Sequence, residues 1–132
     1  MRILALIFLA TLSIHTYARD SCEKLGGIAT NFAQGAYSIA LEDPDMIDKN
    51  GLFNTWIGLL GHLLEESEKK GNYTREFFFS AKIAGNSMIE NQKDIESKIS
   101  SSGYASLFSR MVIRTCQTGR ASESNDLESP SS

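Results

Sequence analysis

The residues able to do chemistry are few and badly spaced for it. His62 is the one histidine outside the first eighteen residues, and zinc sites need several imidazole, thiolate or carboxylate ligands around one ion. A serine, histidine and acid relay needs a sheltered imidazole, yet His62 falls on the polar side of its helical pattern beside Glu65 and Glu66. No catalytic residue, metal ligand or cofactor is expected.

Glu42, Asp43, Asp45 and Asp48, followed by Asn50-Gly51, have the composition of a calcium loop without its spacing. An EF-hand begun at Asp48 places Leu52 and Leu59 where oxygen ligands belong. Begun at Asp43, it places Asp48 where the sharp turn needs glycine. What remains is an acidic corner suited to a basic protein surface, with Asp43, Asp45 and Asp48 as candidate contacts. Gly26, Gly27, Gly35, Gly58 and Gly61 fall inside helical patterns and have no phosphate-loop context. Each costs a helix roughly 1 kcal/mol relative to alanine. They serve either close approach of helices or a smooth surface for a partner, and the sequence leaves both open.

The two cysteines, Cys22 and Cys116, are far apart in the chain, unlike a C-x-x-C redox pair. In an oxidising compartment they pair with each other. The compartment is indicated by residues 1–18, where Arg2, the apolar run Ile3 to Leu12 and Thr16-Tyr17-Ala18 form a signal peptide cleaved after Ala18. Cys22 follows Arg-Asp-Ser, which is not a lipoprotein acylation context. The mature chain is expected in the periplasm or outside the cell, without stable membrane insertion. A disulfide between Cys22 and Cys116 closes most of it into one loop, worth roughly 4 to 5 kcal/mol on the chain-entropy model.

Loss of the leader leaves twelve basic residues against sixteen acidic ones. That balance gives no reason to seek nucleic acid, and a charged partner is expected to be basic. The remaining 114 residues suffice for one domain with one core.

These residues are positioned by helices. Cys22, Leu25, Ile28, Ala29, Phe32, Ala33, Ala36, Ile39 and Ala40 recur on one face of a helix from Cys22 to Leu41. Asp43 and Pro44 cap and open a short turn, Asp45 to Lys49. A second long helix spans Leu52 to Lys70 and stops at Gly71, with Trp56, Leu60 and Leu64 in a broad apolar arc. Thr74 caps a third, in which Phe77, Ala81, Ala84, Met88, Ile95 and Ile99 form one stripe, so a single helix to Ile99 is expected. A fourth spans Tyr104 to Thr118, and the polar sequence at 119–132 reads as a disordered tail after a helical domain at 19–118. Short connections favour an all-α antiparallel four-helix bundle, in which Cys22 and Cys116 share one end. Asn72-Tyr73-Thr74, an N-glycosylation sequon, falls in an exposed turn.

Phe79 and Ile83 point away from the third helix's stripe and form a candidate docking patch, with Arg110 and Arg114, one turn apart on the fourth helix, as its rim. The plan of leader, small helical body and terminal staple is that of a protein-binding module, of the inhibitor or immunity type. A periplasmic acid-stress chaperone and a small-ligand carrier are the alternatives, and self-association as a homodimer is a further partner option.

Overall fold

The computed structural model describes residues 19–128. The leader at 1–18 and the last four residues lie outside the described residues. Within them every regular element is helical, and each boundary has a local cause.

Ser21 accepts the Lys24 amide at 3.1 Å and starts α1 (Cys22–Leu41). Asp43 accepts the Met46 amide at 3.2 Å, and Pro44 opens the short α2 (Pro44–Asn50). Gly51 and Gly71, with φ of 86° and 68°, bracket α3 (Leu52–Lys70). The left-handed conformation at Gly71 ends that helix at little steric cost. Thr74 accepts the Phe77 amide at 3.2 Å and begins α4 (Arg75–Glu90). Then follow α5 (Gln92–Lys98), a 3-10 turn (Ser101–Gly103) and α6 (Tyr104–Glu128).

Three expectations need correction. The third helix passes through Gly85 without interruption but does not reach Ile99, because Asn91 breaks it. The Asn91 side chain donates to the Ser87 carbonyl at 2.7 Å and its backbone sits at φ −107°, outside helical geometry. Beyond that break α5 still buries Ile95, so the apolar stripe persists across two helices.

The last helix runs to Glu128, past the expected end at Thr118 and into the segment expected to be disordered from 119. Its extension is tied down by contacts distant in sequence. Arg120 donates to Glu76 at 2.9 and 2.7 Å and to the Asp20 carbonyl, while Arg19 donates to Glu123 at 2.9 Å. Ile39, assigned to the buried face of α1, is 42 % exposed, since the core-facing row at that end passes through Ala36 and Ala40.

Small residues on α1 govern the packing. Ala29, Ala33, Ala36 and Ala40 are fully buried, and the indole of Trp56 lies close enough to donate to the Ala33 carbonyl at 2.9 Å. On the α6 side the approach is closer still. A Cβ added at Gly26 would lie 2.4 Å from Ile113 Cγ1, and Ser109 donates to the Gly26 carbonyl at 2.7 Å. Cys22 meets Cys116 at one end of this pair and Tyr37 meets Ser101, 2.9 Å between hydroxyls, at the other. The two helices therefore run in opposite directions along their most extensive contact. The disulfide joins Cα atoms 5.6 Å apart, within the usual range. Two aromatic clusters fill the core, Phe53, Trp56 and Tyr104 toward one end and Phe32, Tyr73, Phe77 and Phe78 toward the disulfide.

Three outcomes follow for stability. Replacing Cys22 and Cys116 by serine should cost on the order of 4 kcal/mol, read as a lower chemical denaturation midpoint. Gly26→Leu should cost about 1 to 3 kcal/mol through overpacking against Ile113. Gly27→Leu, whose Cβ meets nothing within 4 Å, should be neutral or stabilising by thermal melting, because leucine is the better helix former.

Candidate functional site

Although α3 and α4 follow one another in the chain, they touch far less than α3 touches α1 or α4 touches α6. Between them runs an open groove of about 470 Å³. Its floor is apolar, made by Leu60 and Leu64 of α3, Phe78 and Ala81 of α4, and Phe108 of α6. Ile57 and Ile89 stand at its edges, and Ile89 is 52 % exposed.

The width has a cause in the sequence. Gly61 lines one wall and Gly85 the other, and a Cβ at either would meet nothing within 4 Å. Unlike Gly26, these glycines answer no packing need inside the chain, so their propensity cost of about 1 kcal/mol each leaves room that the fold itself does not use. Across the rim Lys82 donates to Glu68 at 3.0 Å. Both side chains are largely exposed, and such a pair contributes about 1 kcal/mol or less. Glu65 and Asn86 complete the polar edge. These groups can hold and orient a bound surface, and among the described residues no histidine, cysteine or hydroxyl side chain lines the groove.

The seven residues singled out from sequence lie elsewhere, in two separate places. Phe79, 63 % exposed, and Ile83 project from the outer face of α4, while Arg110 and Arg114 are exposed on α6, which packs beside it. Asp43, Asp45 and Asp48 are exposed around α2, at the end of α1 away from the disulfide. The structure thus brings the α4 and α6 residues onto neighbouring helices and keeps the aspartates apart from them. The groove was missed because Leu60, Leu64 and Ala81 on its floor read as ordinary core positions, while other residues lining it flank the stripes. Phe78, Ile89 and the helical glycines were its available signal.

His62 is exposed on α3 and does not line the groove. No group of three or more histidine, cysteine, aspartate or glutamate side chains stands close enough to hold a metal among the described residues. No helix among them is long and apolar enough to cross a membrane. No protein-family model, curated protein or solved structure matches this chain.

Electrostatics concentrate at the disulfide end. The Arg120 guanidinium, by its hydrogen bonds first and by charge behind them, holds the Glu76 carboxyl below its ordinary value against the opposing pull of burial. Glu76 Oε2 also lies 3.8 Å from the Cys116 sulfur, so the ion pair, which joins α4 to α6, and the disulfide, which joins α1 to α6, brace the same end of the molecule. At the other end burial, and Glu96 and Tyr37 behind it, pushes the Tyr104 phenol up.

Because Glu76 titrates lower in the folded chain than in the unfolded one, the unfolded chain binds more protons between the two values. Its stabilising effect is complete above the ordinary glutamate value, about 4.3, and is lost as pH falls through the lowered one. Glu76→Gln should lower the urea midpoint at neutral pH and flatten the acid limb of a stability–pH curve. Parallel limbs in the two proteins would show that the pair contributes nothing.

Proposed function

We propose that the protein is a recognition module, exported through loss of the leader at residues 1–18 to the periplasm or cell exterior. Its helices form an antiparallel four-helix bundle that binds a protein partner in the groove between α3 and α4, in the manner of an inhibitor or immunity protein. The disulfide suits an oxidising compartment and limits the freedom lost on docking.

The observation that carries this reading is the groove itself, apolar at its floor and lined by two glycines, with none of the described residues filling the space. Its volume also lies in the range of small-molecule sites, about 300–1,000 Å³, which is the argument for a ligand carrier. The floor favours a protein partner over that reading. Leu60, Phe78 and Phe108 are already buried, so a small molecule lying on them removes little further apolar surface from water. A partner helix that puts one side chain into the groove and rests on Ile89 and the polar rim removes more. An acid-stress chaperone draws on the Glu76 clamp alone. It needs apolar surface to appear as that clamp releases, which dye binding on acidification would detect.

Gly61→Leu and Gly85→Leu place side chains in the groove from positions where a Cβ meets nothing within 4 Å. Each should leave the melting temperature unchanged or raised, yet weaken capture of the partner taken from its own compartment by tenfold or more. Gly27→Leu, outside the groove, should capture it as the natural chain does. Equal capture by the filled and unfilled proteins would overturn the assignment of the groove.

A further inference from the structure

The two surfaces outside the groove are complementary to each other. Phe79 stands out from α4 as the most exposed of the large apolar side chains among the described residues. Arg75 and Ile83 lie one turn to either side of it, so the three form a line on one face of that helix. Arg75 and Phe79 share a crevice with Thr115, the residue after Arg114, and Arg110 lies one turn further back on α6. Among the described residues none of Arg75, Arg110 and Arg114 has a carboxylate at ion-pair distance. Glu76 and Glu123, which line the same crevice, are already paired with Arg120 and Arg19, so Phe79 makes an exposed apolar knob beside arginines that have no ion-pair partner among the described residues.

At the corner where α1, α2 and α3 meet lies the reverse. A depression of about 430 Å³ is lined by Ile39, Met46 and Leu59, with Asp43 at its margin and Gly58 contributing no side chain. Ile39 and Met46 are exposed there. Asp45 and Asp48 stand on the same short helix as Met46, Glu42 just precedes it, and none of these four carboxylates is ion-paired among the described residues.

The knob lies beside the disulfide, near the start of α1, and the depression at that helix's far end. Twenty residues of helix separate them by about 30 Å, so they cannot meet within one molecule. We infer that copies of this chain associate head to tail, Phe79 of one copy seating in the Ile39–Met46–Leu59 depression of the next, with arginines of the first facing aspartates of the second. The contact uses two different surfaces, so it is heterologous and, according to its rotation, closes into a ring or propagates as a filament instead of stopping at a symmetric pair. It is independent of the α3–α4 groove, which stays open in every copy. An aromatic anchor in a pocket supplies the affinity, and the charges set register and salt dependence.

Sedimentation velocity of the purified protein at low salt should show an average mass that rises steadily with concentration and falls on adding salt. Phe79→Ser, at an exposed position, should be monomeric. So should the double variants Arg75→Glu/Arg114→Glu and Asp45→Lys/Asp48→Lys, each alone, with dissociation constants raised by about tenfold or more. Mixing the two double variants should restore association, since each then offers the other a complementary face. Circular dichroism of every variant checks that the helices are intact. A natural chain that stays monomeric from micromolar to millimolar concentration would overturn the inference. So would a closed dimer that ends the mass increase, or folded charge-reversed variants that associate alone as the natural chain does.

Discussion

How near a neighbour can come to α1 sets the geometry of the whole molecule. Alanine at 29, 33, 36 and 40 and glycine at 26 give that helix a face with almost no side chains on it. Trp56 from one side and Ser109 with Ile113 from the other therefore reach its backbone, and both Trp56 and Ser109 hydrogen-bond to its carbonyls. Large residues along that face would push α3 and α6 outward. The Cys22–Cys116 bond then fastens α1 to α6, and the Arg120 contacts with Asp20 and Glu76 tie the start of α1 and of α4 to α6 at the same end. Apolar contact and covalent closure thus act on one interface.

A consequence appears on the opposite side. Because α1 holds α3 and α6, and α6 in turn holds α4, the pair α3 and α4 is positioned by its other neighbours and need not pack tightly along its own length. Glycine at 61 and 85 keeps the opening unfilled. The groove is therefore a product of how the neighbouring pairs are braced, and the rigidity of that bracing is what would let it present a fixed shape. Charge is distributed in a related way. The paired groups Glu76 and Arg120 sit at the closed end, while Arg75, Arg110, Arg114 and the aspartates around α2, none of them ion-paired among the described residues, lie on surfaces the core does not use.

Local chemistry made most of the helices legible. The first helix, the third element from Leu52 to Lys70, and the caps at Asp43, Thr74 and Gly71 stand where periodicity and capping residues put them, because these signals act over one or two turns. The pairing of Cys22 with Cys116 was legible too, since only two cysteines are present. Asn91 was harder to read: its break in α4 depends on one side chain outcompeting the helix, and the apolar stripe continues past it. The extension of α6 to Glu128 was hidden for a different reason. A polar segment carries no periodic signal, and its anchors, Asp20 and Glu76, are 100 and 44 residues away from Arg120.

The candidate site divides along the same line. By itself the sequence determined that the chain is helical, that its ends can be covalently joined, and that Phe79, Ile83, Arg110, Arg114 and the aspartates of α2 fall outside the apolar stripes, because residue type and spacing are properties of a single helix. Which glycines permit a close approach and which leave a void was decided only by the tertiary structure. Gly26 and Gly61 read alike along the chain, and differ because Ile113 lies against one and nothing lies against the other. The separation of the exposed residues into two distant surfaces, and the opening between α3 and α4, were decided there as well. Both are relations between helices, fixed by how closely α1 lets its neighbours approach.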